Sequence, residues 1–489
     1  MNSLGNPAAT NVNWEEIPVG LASSGSRRLD ASSFIAGGWG LFQKLISVGD
    51  ECEPLGEMAS VWQPHRLKGV TVESQAGRPF LAAGQLFELR PSFRKWLAPS
   101  KTPNLDQRLV ARGQLLITCS GNVGRPMIAH GRHPEAIVTH DLLRVDPARS
   151  SVRGYLYAFL RTAGALSMMT SRQYGHVVKH LEVEHVLDLP VPRIASSDEE
   201  LLERSVVSVF DKRESAHNLI VRAETRYAQA LGLGGFVAPP THRTSVSVSD
   251  VGYGRRRLEA SYYSPVVEAI EAAAQERGLQ VQPLSEIVDR VFMPNRFSRV
   301  ATESGIVYRS AEEVFSINPP VTKRIFPPAG RVADECKVQP GWILVARSGQ
   351  VYGMNGSTRL VDRRLAREFI SEDMIRVVPD GSSDIVGFIA AVLGHPELGR
   401  PVLLREAYGT SIPHLDPEDV ATVRIPRVGD EIERSISADY LAAVQLRSEA
   451  DELEDRVTEF ASDHLYALLG SERHRESLAP LRTALTAVT

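Results

Sequence analysis

The sequence predicts an α+β protein with two tandem-repeated globular domains, each followed by a long helix, and with the two helices pairing as an antiparallel coiled coil. Three observations lead to this fold class. An internal repeat divides the chain, each half mixes short β-like runs with a helical run, and each half closes on a long heptad pattern. At 489 residues the chain is also too long for a single hydrophobic core.

The repeat is clearest in two strings that close an apolar, strand-like run with Ser-Gly. "LLITCSGNVGRP" begins at Leu115 and "ILVARSGQVYGM" begins at Ile343, so Ser120 and Ser348 stand 228 residues apart. Further matches keep offsets of 228 to 234, and such a steady spacing indicates an ancient duplication. They include Ala83/Ala311, Phe87/Phe315, Pro91/Pro319, Lys95/Lys323, Asp141/Asp373, Arg144/Arg376, Tyr174/Tyr408 and His180/His414.

Each half ends in a segment whose apolar residues alternate in steps of three and four over about four heptads, which is typical of a coiled coil. Only Arg213 interrupts the first seam. Ser197 with Glu200, and Asp430 with Glu433, have the spacing of a capping box and mark the expected helix starts. The predicted interface residues are Leu202, Val206, Val209, Ile220 and Tyr227, and Ile436, Leu446, Leu453, Val457 and Phe460.

Within each half, β-like runs alternate with Pro/Gly-rich connections, which predicts a compact α+β globule of about 175 residues. A Gly-rich stretch from Leu231 is the expected linker. The predicted organisation is an N-terminal tail (1–26), a first domain (27–195), a first helix (196–232), a linker (233–254), a second domain (255–428), a second helix (429–470) and a C-terminal tail (471–489).

The net charge of −4 is unevenly distributed. The segment from Asp430 to Gly470 carries −8, and the chain outside the two helical segments carries +6. That pattern suits a polyanionic partner for the domains, although acidic solvated helices beside near-neutral domains would look the same. No apolar run is long enough to span a bilayer and no secretion signal is visible, while Cys52, Cys119 and Cys336 lie far apart. We expect reduced thiols and a cytoplasmic protein.

These features resemble the DNA specificity subunits of type I restriction-modification systems. The resemblance is carried by the repeated order of three pieces. They are the openings "RRLDAS" (Arg27 to Ser32) and "RRLEAS" (Arg256 to Ser261), the strand-Ser-Gly-x-Val elements, and the closing stretches from Gly175 and Gly409. It covers roughly residues 27–470. The chain departs from the family where "PVPRIASSDEE" and "IPRVGDEIE" replace its usual Pro-Leu-Pro and Glu-Gln before the helix.

The resemblance implies a non-catalytic subunit whose two domains are target-recognition domains for an asymmetric, bipartite site in double-stranded DNA. It implies two methyltransferase (modification) subunits as partners, which would carry S-adenosylmethionine and methylate adenine, so that this chain needs no cofactor or metal. Whether restriction subunits also join, or whether the complex serves another methylation-based phage defence, stays open. The alternatives are a stand-alone DNA methyltransferase or nuclease with cryptic motifs, and a coiled-coil scaffold protein.

The candidate DNA-binding residues lie at matched positions of the halves. A tight Ser-Gly turn exposes short polar groups and backbone N–H groups, which suit phosphate or base-edge contacts, although the glycines also have a purely structural use. Candidates around these turns and the closing stretches are Ser120, Asn122, Arg125, Tyr174, Arg347, Ser348, Gln350 and Tyr408. The candidates for phosphate contacts are Arg90, Arg94, Lys95, Lys101, Lys323 and Arg324, for which mere solubility is the alternative.

Two further patterns are weaker. Asn318-Pro319-Pro320 resembles the Asn-Pro-Pro-aromatic loop of adenine methyltransferases, but Val321 replaces the stacking aromatic. His176, His180 and His185 have a metal-like spacing, but no Cys or carboxylate completes a ligand set and the second half keeps only His414. We therefore predict neither catalysis nor a metal site at these positions.

Overall fold

The computed structural model describes residues 37–174, 179–236, 245–253, 257–258, 262–350, 352–381 and 383–488. The predicted N-terminal tail and the opening at Arg27 lie outside the described residues, as does most of the opening at Arg256. The chain forms two compact units, each with helices and sheets, which confirms the mixed α+β composition. Unit 1 comprises Met1–Leu86, Ser92–Phe210 and Glu452–Thr489, and unit 2 comprises Phe87–Pro91 and Asp211–Asp451.

Unit 1 is built on a four-stranded antiparallel sheet in the order β2-β9-β6-β7. All four residues of β6 are buried, as expected for the inner strand of a sheet that is covered on both faces. Its helices are α1 (Gly37–Ser47), α2 (Leu55–Met58), α3 (Val152–Arg161), α4 (Ala163–Arg172) and α5 (Val183–Leu187). Its strands are β1 (Cys52–Pro54), β2 (Ala59–Trp62), β3 (Thr71–Val72), β4 (Arg78–Leu81), β5 (Trp96–Leu97), β6 (Leu115–Thr118), β7 (Pro126–Ile128), β8 (Ile137–Val138), β9 (Leu142–Pro147) and β10 (Pro190–Pro192).

Two long helices each contribute to both units. Helix α6 (Ser196–Ala230) passes from unit 1 into unit 2 after Phe210. The other elements follow in chain order as α7 (Val248–Tyr253), α8 (Pro265–Glu276), α9 (Ala311–Val314), α10 (Arg331–Cys336), α11 (Val386–Gly394), α12 (Arg400–Arg405), α13 (Pro417–Ala421), the second long helix α14 (Asp430–Leu468) and α15 (Glu472–Thr486).

Unit 2 is built on a four-stranded antiparallel sheet in the order β12-β18-β15-β16, in which β15 is wholly buried. A second sheet joins β14, β13 and β17, with β13 and β17 parallel. The strands are β11 (Val281–Pro283), β12 (Val288–Phe292), β13 (Val300–Arg309), β14 (Arg324–Phe326), β15 (Ile343–Ala346), β16 (Thr358–Leu360), β17 (Phe369–Ile370), β18 (Met374–Pro379) and β19 (Arg424–Pro426).

In each unit a glycine allows a domain helix to pack closely against a long helix. A Cβ on Gly154 of α3 would lie 2.5 Å from the Cα of Glu203, and one on Gly387 of α11 would lie 2.3 Å from the carbonyl oxygen of Ser437. The backbone N–H groups of the same glycines donate to the side chains of Glu203 and Ser437. Only glycine permits this approach, so the contact fixes where each domain helix meets its long helix.

Within unit 2 the long helices contact each other through ion pairs. Arg222 and Arg226 both bind Asp439, and Lys212 binds Glu449. Residue numbers therefore rise along α14 as they fall along α6. Arg213, which interrupts the heptad seam, places its guanidinium 2.7 Å from the carboxylate of Asp451, with both side chains buried.

The predicted seam residues are buried, except Leu446, which is half-buried against the core of unit 2. The helix starts differ from the capping-box prediction. Helix α6 begins at Ser196, so Ser197 lies inside it, and Glu433 of α14 accepts a hydrogen bond from the N–H of Val428 and pairs with Arg427. No helix of the described residues is long and apolar enough to cross a bilayer.

The segments predicted as the linker and the C-terminal tail both contain helices. The linker includes α7, and the C-terminal tail forms α15, which has Pro480 in its interior. Within unit 1, Arg482 of α15 binds both carboxylate oxygens of Asp198, at 2.7 and 2.6 Å. The C-terminal segment therefore packs as part of unit 1.

Matched positions of the repeat also pair with each other inside unit 2. The N–H of Leu89 donates to the carbonyl of Phe315, and the N–H of Ile317 donates to the carbonyl of Phe87. These bonds flank a bridge between Glu88 and Ser316. Phe87 matches Phe315 at the repeat offset, so each segment bonds the other reciprocally, as a local twofold axis requires.

Candidate nucleic-acid interface

The candidate site of unit 2 consists of two adjacent loops. The Ser-Gly loop (Ser348–Gln350) follows β15, and the Tyr-His loop (Tyr408–His414) is closed by the two backbone hydrogen bonds that Tyr408 and His414 exchange, at 3.0 and 2.8 Å. Ser348 and His414 form a backbone bridge. The N–H of Leu415 donates to the carbonyl of Arg347 at 3.0 Å. The backbone thus ties the two loops together where they emerge from the core.

Side chains reinforce this pairing in unit 2. The Oγ of Ser348 lies 2.8 Å from Nδ1 of His414, and the amide of Gln350 donates to the carbonyl of Ser411 at 2.6 Å. The buried amide of Asn355 donates to the carbonyls of Gly349 and Pro413, at 3.2 and 2.9 Å. The buried Asn355 side chain therefore connects the Ser-Gly loop to the Tyr-His loop.

Unit 1 contains the same pair of loops. Its Ser-Gly loop (Ser120–Asn122) follows β6, and its Tyr-His loop (Tyr174–His180) is closed by the same exchange of backbone hydrogen bonds, at 3.0 and 2.8 Å. Ser120 bridges His180, and the N–H of Gly121 donates to the carbonyl of Lys179 at 3.0 Å. Residues 175–178, which include His176, lie outside the described residues.

The glycines of the two Ser-Gly loops have positive φ angles, +75° at Gly121 and +134° at Gly349. Side chains with a Cβ rarely adopt this backbone conformation, so the structural use of these glycines is real. In unit 1 the hydroxyl of Thr118 further shapes the turn, because it donates to the carbonyl of Asn122 and accepts from the N–H of Arg125. Asn122 is exposed and Arg125 is half-buried.

The loops present aromatic and apolar side chains to solvent. Tyr174 and Tyr408 are exposed, and the sequence-based reasoning missed two more exposed residues of unit 2, Tyr352 (66%) and Ile412 (56%). The sequence signal that could have found them is an apolar residue within a polar, Gly-containing loop, as Tyr352 in "SGQVYGM" and Ile412 in "YGTSIPH". Exposed aromatic rings beside amide and hydroxyl groups are suited to contacts with bases.

An acidic residue orients each exposed tyrosine. The hydroxyl of Tyr408 donates to Asp416 at 2.7 Å, and this hydrogen bond raises the pKa of Tyr408. A hydrogen bond to Glu182 raises the pKa of Tyr174 in the same way. Both phenols therefore remain neutral donors near neutral pH.

A buried arginine supports the turn beside each Ser-Gly loop. Arg376 donates to the carbonyls of Ile370, Ser371 and Met374, and Arg144 donates to those of Thr139 and Leu142. Burial lowers the pKa of each arginine to about 10.

The turn of unit 2 carries Asp373, which accepts from Arg347 at 3.2 Å. Arg347 also lies 3.6 Å from the carboxylate of Asp416, so its guanidinium connects the Ser-Gly loop to two acidic residues. A phosphate at Arg347 would have to compete with these carboxylates.

The basic candidates occupy different surroundings. Lys95 lies over the ring of Phe80, 5.5 Å from its centroid, and Lys323 lies over the ring of Tyr308 at 5.2 Å. These pairs occupy matched positions, and in each the N–H of the aromatic residue donates to the carbonyl of the lysine. Arg94 and Lys101 are exposed, and so is Arg324, which donates to the carbonyl of Gly305 at 3.0 Å.

Arg90 is a correction to the phosphate candidates. Within unit 2 its guanidinium binds both carboxylate oxygens of Glu224, at 2.5 and 2.9 Å, and also donates to the carbonyl of Gly394. A guanidinium held by a bidentate ion pair is already neutralised and oriented. Arg90 therefore has a structural role.

The two patterns set aside on sequence grounds have structural uses. Asn318 is buried, accepts from Arg364 at 2.9 Å and has a φ of +31°. The His185 ring accepts from the N–H of Glu182 at the start of α5. Among the residues that the structure describes, no group of His, Cys, Asp or Glu is placed to hold a metal ion.

No protein-family model matches the chain, and no curated protein matches it. Solved structures do match. The S subunit of a type I restriction-modification system from M. genitalium is 11% identical with a TM-score of 0.33, and the match covers 85% of this chain and 95% of that one. The HsdS subunit from Thermoanaerobacter tengcongensis is 13% identical with a TM-score of 0.26, covering 84% and 97%. A third match comes from work on complex assembly and conformational transition of the type I restriction-modification system, at 14% identity, a TM-score of 0.25, and coverage of 84% and 96%. Each of the three matches spans most of both chains.

Proposed function

We propose that this chain is the sequence-specific DNA-binding subunit of a type I restriction-modification complex or of a related methylation-based phage-defence complex. In this role the chain reads DNA and catalyses nothing. Its partners are double-stranded DNA and two methyltransferase subunits, which bind the S-adenosylmethionine and act in the cytoplasm. Restriction subunits are possible additional partners.

One observation carries the proposal, namely that the same exposed pair of loops is built twice. Tyr174 and His180 close one loop as Tyr408 and His414 close the other, and each closed loop is bonded to a Ser-Gly turn. An enzyme needs one site of defined chemistry. Two similar surfaces that expose aromatic rings and amide side chains suit a reader of two short DNA sequences.

The differences between the two loop pairs support an asymmetric site. In and beside its loops unit 1 carries Asn122, Arg125 and Lys179, where unit 2 has Gln350, Gly353 and Pro413 at the matched positions. Unit 2 adds the exposed Tyr352 and Ile412. Arginine and asparagine favour hydrogen-bonded base edges, while apolar side chains favour the thymine methyl group. We infer that the two half-sites differ in sequence and that each is read by residues of one domain, 27–195 or 255–428.

The two long helices are the part of the chain that we expect to bind the partner subunits. We propose that they form an antiparallel coiled coil whose outer surfaces, with the neighbouring domain faces, hold the modification subunits. The ion pairs of Asp439 and Glu449 with α6 are compatible with that pairing.

The decisive experiment is a domain exchange in the assembled complex. The chain is co-expressed with the products of its neighbouring genes, and the methylated genomic motif is read by single-molecule sequencing. Residues 27–195 are then replaced by the equivalent segment of a related protein. We expect one half-site to change and the other to persist, and the reciprocal result from exchange of residues 255–428.

A change of both half-sites in each exchange would refute the two-reader proposal. The purified chain alone should neither methylate nor cut DNA. Methyl transfer by the chain without partners would instead establish the stand-alone enzyme.

A further inference from the structure

Each unit also contains a small β-ribbon, formed by β3, β5 and β4 in unit 1 and by β13 and β14 in unit 2. The ribbons are separate in sequence from the Ser-Gly and Tyr-His loops. In unit 1, β5 pairs with β3 through Thr71 and Leu97, and with β4 through Arg78 and Leu97. In unit 2, β14 pairs with both ends of the long strand β13, so that Ile325 faces Ala301 and then Ile306. Leu97 and Ile325 are the buried central residues of the two ribbons.

The segments that lead into the ribbon strands contain basic residues and no acids, whereas β13 itself carries the exposed Glu303 and Glu73 follows β3. Residues 62–72 and 93–103 of unit 1 contain five Lys or Arg residues and no Asp or Glu, and residues 290–300 and 321–331 of unit 2 contain six and none. Residues 93–103 correspond to residues 321–331 at an offset of 228, and Pro64, Arg66 and Val70 correspond to Pro294, Arg296 and Val300 at an offset of 230. Arg299 pairs with Glu372 and Arg331 with Glu335, whereas Arg296 and Arg324 are exposed. In a chain of net charge −4, this concentration is a polycationic surface.

An exposed apolar pair lies on the unit 2 ribbon among these cations. Val300 and Phe326 are direct partners in the antiparallel register, and they are 56% and 57% exposed. In unit 1 the N–H of Ala98 donates to the carbonyl of Val70 one position beyond the pair of Thr71 and Leu97, so Val70 and Ala98 match Val300 and Phe326. Val70 is exposed as well.

We propose that these ribbons form a second DNA-contacting surface in each unit, an inference that rests on the proposed function. The basic residues bind phosphates, and the Val300–Phe326 pair of unit 2 contacts thymine methyl groups in the major groove. A two-stranded ribbon has the width that the major groove accepts, and apolar contact is how a thymine methyl is read. Ala98 stands where unit 2 has Phe326, so the unit 1 ribbon makes the smaller base contact.

The charge around the apolar pair favours DNA over a protein partner. A stable protein interface buries about 800 Å² on each side, and its core contains few charged residues. Two apolar side chains that are flanked by Arg299, Lys323 and Arg324 do not provide such a core. The apolar pair can instead contact base edges in the groove while the neighbouring cations contact the phosphates on either side.

A photo-crosslinking experiment on the full chain tests this surface. Three variants carry p-benzoylphenylalanine, at Phe326 on the ribbon, at Ile412 on the Tyr-His loop and at Ile432 on the exposed side of α14. Each is irradiated with a labelled 40-base-pair duplex of mixed sequence. We expect DNA adducts from positions 326 and 412 and at least tenfold fewer from position 432.

The arms of the experiment separate the two proposals. Adducts from position 412 without adducts from position 326 overturn the ribbon surface and leave the proposed function intact. Adducts from neither position overturn both. Adducts that are equally strong at position 432 indicate unspecific contact and also overturn the ribbon surface.

Salt dependence gives a second, independent measurement. The double variant Arg296→Gln/Arg324→Gln should lower the slope of log Kobs against log salt by roughly two, because each lost phosphate contact removes about 0.9. The loss of affinity between 50 and 200 mM salt then shrinks roughly tenfold. Arg277→Gln/Arg434→Gln is the matched control, since it changes two exposed arginines outside the ribbons, one directly after α8 and one on α14. Equal slopes for both double variants would overturn the proposal.

Discussion

The Oγ of Ser348 lies 2.8 Å from Nδ1 of His414, and the two residues also form a backbone bridge. The contact joins the Ser-Gly loop of unit 2 to its Tyr-His loop. At the matching position of unit 1, Ser120 bridges His180 through the backbone.

The first prediction concerns this contact. Ser348→Ala removes one hydrogen bond between the loops, so we expect a loss of about 1 kcal/mol in the free energy of unfolding. The methylation motif should relax at one half-site, because the loops of unit 2 are less well fixed. Chemical denaturation and single-molecule sequencing measure the two effects. Ser120→Ala is the control, and it should leave that half-site unchanged. Relaxation of the same half-site by both variants would contradict the assignment of one loop pair to each half-site.

The second prediction concerns the seat of α11 on α14. The Cβ that Gly387→Ala adds would lie only 2.3 Å from the carbonyl oxygen of Ser437, so α11 and α14 must move apart. We expect a loss of about 1–3 kcal/mol. Gly381→Ala is the control, since a Cβ there meets open space. Equal stability of the two variants in urea would show that this close approach is not needed.

The third prediction concerns the buried ion pair of Arg213 and Asp451. Asp451→Ala leaves a buried guanidinium without its carboxylate, which typically costs about 3–5 kcal/mol. Asp384→Ala removes the partner of Arg434 in an exposed pair and should cost less than about 1 kcal/mol. The double variant Arg213→Met/Asp451→Leu should recover most of the loss, as measured by chemical denaturation. A double variant as unstable as Asp451→Ala would argue against a purely electrostatic cost.

The fourth prediction concerns the pH dependence of unit 2. Burial lowers the pKa of His395 to about 4, with a further contribution from Arg90, and its Nδ1 accepts from the N–H groups of Glu397 and Leu398. The unfolded chain binds a proton near pH 6.5. Stability is therefore lost as the pH falls from about 6.5 towards about 4, by up to roughly 1.4 kcal/mol per pH unit.

The variant His395→Asn keeps an acceptor but cannot titrate, so its unfolding free energy should depend less on pH in this window. Burial also lowers the pKa of His133 in unit 1, which leaves a residual dependence. Unfolding curves recorded at several pH values test the difference. Parallel pH profiles for the variant and the parent chain would exclude His395 as the source.

The sequence predicted the loops well and their surroundings poorly. The Ser-Gly strings, Tyr174 and Tyr408 were recognisable because the repeat places the same residues at a steady offset, and the long helices were predicted within two residues of their observed ends. The ion pair of Arg90 with Glu224 and the bridge of Glu88 with Ser316 join residues more than 130 positions apart. Such partners depend on tertiary packing, which a local pattern does not contain.

The helix α15 escaped prediction for a different reason. Pro480 lies inside it, and proline normally interrupts a helix. The segment has a partner in Asp198, and tertiary contacts of this kind outweigh a poor local propensity.

The division of the chain between the two units sets an order for its synthesis. Unit 1 takes its last segment, Glu452–Thr489, from the C-terminus, whereas unit 2 is complete at Asp451. The unit whose first segments are translated first must therefore wait for residues 452–489 before its fold is complete. A stop codon after Asp451 would remove a segment of unit 1 and leave every segment of unit 2 in place, so the damage would fall on the unit whose other segments are translated first.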